Sequence, residues 1–192
     1  MDKYSDIIKK AIKEDPDFQR SLELVKKNSN GKIWVMGSFV FRNIASKIYN
    51  LPKPIIKDYD FVVEKIVISP EMKYSLNHFG GLKIDNGLKK TDIWELKETY
   101  LIKKNNLNPT IENCLKTASL NIQSIAYDIE ENKIIGETSL RGIIDKKNLA
   151  NNIENFQYYV SAYKITMEDY INAQIRKWGF QDFDIDWNSF KN

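Results

Sequence analysis

Two stretches of the sequence decide the predicted fold: Lys32-Ile-Trp-Val-Met-Gly-Ser38 and Lys57-Asp-Tyr-Asp-Phe-Val-Val-Glu64. The first is a short apolar run, typical of a buried strand, that stops at a Gly-Ser pair. The chain then returns to helical spacing, with Val40, Ile44 and Ile48 at intervals of four. The second stretch is a strand pattern that carries acidic residues. The predicted order is therefore strand, Gly-Ser turn, helix and acidic strand.

The acidic strand is expected to present a pair of carboxylates. Residues two apart in a strand point to the same face, so Asp58 and Asp60 lie together while Tyr59 and Phe61 point the other way. Two carboxylates at this spacing repel each other unless a cation lies between them. Mg²⁺ prefers such oxygen ligands, and paired metal ions stabilise phosphoryl transfer. The pattern therefore predicts a magnesium site, at which Mn²⁺ is also acceptable.

A third carboxylate is expected from a neighbouring hairpin. Asn86-Gly87 is a strong hairpin signal between strand patterns at 82–85 and 88–96. The returning strand carries Asp92, and pairing beside Asp58-Tyr-Asp60 would make Asp92 the third metal ligand.

The Gly-Ser turn is expected to bind phosphate. Glycine lets the backbone approach a phosphate closely, and the first N–H groups of the following helix point at it. We expect Gly37 and Ser38 to hold the phosphates of a nucleoside triphosphate, with Arg42, one turn into the helix, as a further contact. Taken singly, each feature has an ordinary structural explanation as a turn, a solvated strand face or a surface arginine. Their joint order favours the functional interpretation.

Other patterns complete the predicted secondary structure. Helical spacing before Asp15-Pro16 and again before residue 26 predicts two helices, and residues 109–116 form a short helix. Residues 120–128 alternate as a strand. Thr166-Met-Glu-Asp169 caps a helix that ends at Gly179.

Composition bounds the class of protein. The 192 residues, 42% of them hydrophobic, suit one packed domain, and a net charge of +3 is a weak indicator of a nucleic-acid partner. We expect a catalytic domain over residues 1–150, with a helical extension over 151–192 packed on it. The single Cys114 and single His78 exclude an internal disulfide and make zinc or Cys-His chemistry unexpected. With no apolar leader or membrane span, the predicted location is cytoplasmic.

The motifs resemble those of the polymerase-β-like nucleotidyltransferases, and most of all the head domain of bacterial tRNA nucleotidyltransferases and poly(A) polymerases. Met36-Gly-Ser-Phe-Val-Phe-Arg42 is similar to their Gly-Gly-x-Val-Arg-Asp segment, and Lys57-Asp-Tyr-Asp-Phe-Val-Val63 to their Lys-Asp-x-Asp strand. Leu120–Asp128 and Gly142-Ile-Ile-Asp145 resemble the family's later strand and turn. The resemblance implies an α/β nucleotidyltransferase fold, with a mixed sheet of about five strands backed by helices.

The chain departs from the family at several places. Thr117-Ala-Ser119 replaces an Arg-Arg-Asp segment and Gln123 an asparagine, residues that help the family hold the nucleotide sugar and triphosphate. The arginine of the first motif falls one place later. In the family a neck domain reads the base, and body and tail domains hold tRNA. Only a helix near 166–178 follows the head here, so we do not expect a self-sufficient CCA-adding enzyme.

The resemblance implies metal-dependent transfer of a nucleoside monophosphate from an NTP, such as ATP, to a hydroxyl acceptor, with release of pyrophosphate. Asp58, Asp60 and Asp92 are the expected catalytic and metal-binding residues. An RNA 3′ end, as in tRNA, is the favoured acceptor. One alternative is a degenerate fold that binds nucleotide or RNA. Another is the transferase half of a toxin–antitoxin or defence pair, which would add a protein partner.

Overall fold

The structure is a computed structural model that describes residues 3–70, 72–77, 80–85, 89–180 and 182–190. Its α-helices are α1 (Lys3–Lys13), α2 (Pro16–Lys27), α3 (Ser38–Ile48), α4 (Tyr100–Lys104), α5 (Ile111–Lys116), α6 (Glu137–Ile144), α7 (Ile153–Tyr163) and α8 (Met167–Trp178). Its strands are β1 (Ser29–Met36), β2 (Asp58–Ile66), β3 (Ser75–Leu76), β4 (Leu82–Asp85), β5 (Lys90–Glu95), β6 (Ala126–Asp128), β7 (Lys133–Ile135), β8 (Lys147–Asn148) and β9 (Asp184–Ile185). Short 3₁₀ turns cover Leu96–Glu98, Asn121–Gln123 and Trp187–Phe190.

Within the described residues, the main sheet has seven strands in the order β3-β4-β5-β2-β1-β6-β7, rather than about five. Strand β2 lies at its centre, antiparallel to β1 and parallel to β5, so the sheet is mixed as predicted. The outermost strands, β3 and β7, contain only two and three residues. Such short strands are too brief to show a periodic pattern in the sequence.

The two faces of the sheet are buried against different residues. Tyr59 and Phe61 point into a large core that includes Phe18 of α2 and Phe39 of α3. The opposite face carries Val62, which belongs to a smaller core with residues of β1, α4 and α5. Because the Asp residues of β2 alternate with Tyr59 and Phe61, they lie on the face of the smaller core. The strand alternation predicted for Asp58–Phe61 is therefore confirmed.

The sequence predicted the boundaries of helices α2, α5 and α8 well. Asp15 caps α2 by accepting hydrogen bonds from the N–H groups of Asp17 and Phe18, and Pro16 occupies the first helical position. Thr110 caps α5 and Thr166 caps α8, while Gly179 ends α8 in the left-handed conformation. These helices are confirmed. Cys114 is buried with a free thiol.

The prediction of a continuous strand over 120–128 is wrong. Only its last three residues form β6, and Asn121–Gln123 form a 3₁₀ turn. The Gln123 side-chain oxygen accepts the Leu120 N–H, and the Ser124 hydroxyl donates to the Leu115 carbonyl. These side chain to backbone hydrogen bonds replace the expected strand pairing.

The carboxyl-terminal residues contact the same large core. Phe156 of α7 and Ile171 and Trp178 of α8 are buried in it, and the Trp178 ring packs edge-on against Phe41 of α3 at 5.0 Å.

Helix α7 was not predicted from the sequence. The proposed division at residue 150 stays a prediction. The Asn86-Gly87 turn and His78 lie outside the described residues. No helix in the described ranges is long and apolar enough to cross a bilayer.

Candidate active site

A cavity of about 280 Å³ brings the two deciding stretches of the sequence together. Gly37 and Ser38, where β1 passes into α3, line one side of it, and Asp58 and Asp60 of β2 lie beside them. The register explains this proximity, because Met36 pairs with Asp60 across the antiparallel β1–β2 ladder. The Gly-Ser turn and the Asp pair therefore lie close together, as predicted.

Gly37 holds a backbone conformation that favours glycine. Its φ is +65° and its ψ is −134°, and its N–H donates to the Ile125 carbonyl at 3.2 Å. A Cβ added at this position would lie 3.4 Å from Oδ2 of Asp60. The Gly37 carbonyl accepts from the Val40 and Phe41 N–H groups, and so begins α3. The glycine thus turns the chain sharply beside a carboxylate and leaves the first helical N–H groups at the cavity.

The Gly37→Ala variant is expected to lose about 1–3 kcal/mol of unfolding free energy, because an L side chain strains this conformation. Urea denaturation of both proteins measures the loss. The exposed Ser161→Ala substitution in α7 is the control, and its effect should stay within about 0.5 kcal/mol. Equal stability of Gly37→Ala and wild type would contradict the role assigned to this backbone.

The third acidic residue lies next to the pair. Strand β5 runs parallel to β2 with Asp92 directly opposite Asp60, which confirms the predicted neighbourhood of the two strands. Asp92 is not among the residues that line the cavity. Its Oδ1 atom is buried and has no hydrogen-bond partner in the described part of the chain. A buried carboxylate oxygen without a partner is costly unless a cation or water reaches it.

The three carboxyl groups do not yet converge on one point. Across the described ranges, no three or more His, Cys, Asp or Glu side chains are grouped so that they could hold a metal ion. Metal binding by all three would therefore require rotation of a side chain. The donor set itself, three carboxylates on adjacent strands with an unpartnered oxygen, fits a hard cation such as Mg²⁺.

The carboxyl groups of the site are electrostatically strained. Burial raises the pKa of Asp60 to about 7, and the neighbouring charges of Asp58 and Asp92 add to the rise, against the opposing effect of Lys177 and Lys83. Burial also raises the pKa of Asp92, where Lys83 opposes the shift. A bound cation would relieve this repulsion.

This strain predicts a specific pH dependence of stability without metal. The pKa of Asp60 in the folded chain lies above its ordinary value, so the unfolded chain loses this proton at a lower pH than the folded chain does. As the pH rises from about 4 to 7, the contribution of the protonated Asp60 to stability is therefore lost. In EDTA, Asp60→Asn should therefore be more stable than wild type at pH 8, by up to about 4 kcal/mol. The difference should shrink towards pH 4. Urea denaturation across this range tests it, and a difference independent of pH would contradict the assignment.

Arg42 lies elsewhere than the sequence suggested. Its guanidinium donates to the Ile55 carbonyl at 2.8 Å, and Arg42 is not among the residues lining the cavity. Burial lowers its pKa, and the charge of Asp58 opposes that effect. In this structure Arg42 holds the loop before β2, close to the site. Its contact with a phosphate stays a prediction.

Sequence reasoning missed the opposite wall of the cavity. Helices α7 and α8 contribute Asn155, Tyr159, Gln174 and Lys177 to it. The replaced segment Thr117–Ser119 and Gln123 line it as well. No local motif marks the wall residues. The one sequence signal for this wall was the helical pattern of α8, in which Lys177 directly precedes the buried Trp178.

Comparisons with known proteins agree with the fold. No protein-family model matches this sequence, and no match is found among curated proteins. Among solved structures, a CCA-adding enzyme with CTP matches with a TM-score of 0.60 at 16% identity, over 96% of this chain and 43% of that chain. The Thermotoga maritima CCA-adding enzyme complexed with tRNA matches with a TM-score of 0.58 at 16% identity, over 93% and 42%. A CCA-adding enzyme with ATP gives 0.58 at 18% identity, over 93% and 43%.

The chain therefore spans less than half the length of these structural neighbours. At identities of 16–18%, the likeness concerns the fold. The resemblance that the motifs predicted is confirmed at that level: this chain has the same fold as the part of these CCA-adding enzymes that it covers.

Proposed function

We propose that the chain is a metal-dependent nucleotidyltransferase, which transfers a nucleoside monophosphate from an NTP to a hydroxyl acceptor and releases pyrophosphate. One observation carries the proposal: the glycine turn at the start of α3 and the carboxylates of β2 line the same cavity. Helix N-termini favour phosphate, and paired carboxylates favour the cations that accompany it. The two halves of the cavity thus suit a metal–triphosphate substrate.

Asp58, Asp60 and Asp92 would hold Mg²⁺, or Mn²⁺ in its place. When bound, such ions neutralise charge on the reacting phosphate and favour loss of the acceptor proton. Gly37 and Ser38 would bind the β- and γ-phosphates through backbone N–H groups and the serine hydroxyl. Asp92 would also help to take the acceptor proton, because it lies opposite Asp60 on β5 and burial raises the pKa of its carboxyl group, which makes it a better base.

An RNA 3′ end is the favoured acceptor. The structural neighbours include CCA-adding enzymes solved with CTP, with ATP and with tRNA. The net charge of +3 is compatible with a polyanionic partner but does not select one. The comparison of folds is therefore the main support for RNA.

The test is a labelling experiment. The protein is incubated with Mg²⁺ or Mn²⁺, each α-labelled NTP in turn, and either total tRNA or a cell extract treated with ribonuclease. We expect label to be transferred to RNA from one or a few NTPs and to disappear with EDTA. Label on protein or small molecules would change the acceptor while keeping the reaction. Absence of any labelled product would contradict the proposed activity.

A second candidate is a nucleotide- or RNA-binding module without catalysis. Thr117–Ser119 line the cavity where the resembling family carries Arg-Arg-Asp, and the three carboxyl groups do not converge. Such a module would bind NTP or RNA equally well in EDTA and would label nothing. The same experiment, combined with a binding measurement, separates the two candidates.

A further inference from the structure

We infer that Lys177 of α8 binds the triphosphate of the incoming nucleotide. Lys177 is the one Lys or Arg side chain among the described residues that line the cavity. It lines the same cavity as Asp58, Asp60 and Gly37. The inference rests on the proposed function for the identity of the substrate.

The need for a cation follows from the charges of the cavity. Asp58 and Asp60 bring two carboxylates to a site that is to accept a polyanion. Bound metal ions offset part of this repulsion between the carboxylates and the triphosphate. In most triphosphate sites, Lys or Arg side chains supply the remaining positive charge. The segment Thr117–Ser119 offers only uncharged groups, and Arg42 is directed to the Ile55 carbonyl. Lys83 also acts on Asp60 and Asp92 but is not among the residues that line the cavity, so Lys177 is the remaining candidate in the described lining.

The position of Lys177 is fixed by buried neighbours. The next residue, Trp178, is 5% exposed and packs against Phe41 of α3, which itself lines the cavity. In the described part of the chain, no carboxylate lies within ion-pair distance of the Lys177 ammonium group. The buried Trp178 thus anchors this end of α8, while the charge of Lys177 stays available to a ligand.

A structural explanation for this lysine is its place in the last turn of α8, where a cation stabilises the helix dipole. Arg176 shares that turn and is exposed outside the cavity lining. The two residues therefore have the same effect on the helix but differ in access to the cavity. Arg176 provides a matched control.

The experiment measures binding of ATP, GTP, CTP and UTP, and of the four monophosphates, to the whole chain with Mg²⁺ by calorimetry. Lys177→Gln should weaken binding of the preferred NTP by about tenfold or more, the cost of one charge-assisted contact. Binding of the corresponding monophosphate should change by less than about threefold, because its single phosphate makes fewer contacts. Lys177→Arg should restore NTP binding, and Arg176→Gln should bind like wild type.

Unchanged NTP binding by Lys177→Gln, or an equal loss for NTP and monophosphate, would overturn the inference. Failure of the wild type to bind any of the four NTPs would overturn it together with the proposed function. NTP binding that depends on Lys177 without any nucleotide transfer would contradict only the proposed enzymatic activity. The two claims therefore fail in distinguishable ways.

Discussion

The Asp58→Asn, Asp60→Asn double variant is expected to transfer nucleotide at least about 10³-fold more slowly than wild type, since metal stabilisation of the reacting phosphate is worth several kcal/mol. Both side chains line the cavity beside Gly37 and Ser38. Asparagine keeps their size and removes the negative charges that would hold the cation. The transfer rate under saturating NTP and Mg²⁺ gives the measurement.

The control removes the same number of charges elsewhere. Glu168→Gln and Asp184→Asn, both on exposed residues, should leave the rate within about twofold of wild type, because exposed surface charges contribute little. The double variant should remain folded at pH 8, since burial and mutual repulsion already disfavour the charged form of Asp60. Equal rates for wild type and the double variant would refute the catalytic assignment.

Phe18→Ala is expected to reduce the free energy of unfolding by about 3–5 kcal/mol. Phe18 is fully buried, and its ring stacks on Phe39 of α3 at 4.3 Å and contacts Tyr59 and Phe61 of β2 at 5.2 and 5.3 Å. It therefore packs against both α3 and β2, on the face of β2 opposite Asp58 and Asp60. Its removal leaves a cavity beneath the Asp strand, and urea denaturation with a fluorescence readout measures the cost.

The matched control is Tyr163→Ala. Tyr163 is 56% exposed near the end of α7, so its truncation should cost less than about 1 kcal/mol. If Phe18→Ala and Tyr163→Ala lowered stability equally, the cluster around Phe18 would not be the support of the site.

Local patterns predicted the centre of the fold. The strand alternation placed Asp58 and Asp60 on one face, and the Gly37 turn appeared where the apolar run stops. Strand pairing then brought Asp92 beside them, as expected from adjacent strand patterns. These features depend on the periods of strand and helix and on the conformational freedom of glycine, which the sequence displays directly.

Features set by distant contacts escaped prediction. Arg42 has the spacing of a phosphate contact, but the Ile55 carbonyl in the following loop takes its guanidinium. Residues 121–123 alternate like a strand, but side-chain hydrogen bonds turn them into a 3₁₀ helix. Lys177 reaches the cavity because α8 packs against α3 through Trp178, a contact that no local pattern encodes.

The most direct test of the central claim is the anomalous diffraction of Mn²⁺ in crystals grown with a non-hydrolysable α,β-methylene NTP. The account predicts manganese peaks bounded by the carboxylates of Asp58 and Asp60, with the triphosphate lying between them and the backbone of Gly37 and Ser38. Manganese bound elsewhere, or a nucleotide outside this cavity, would contradict it.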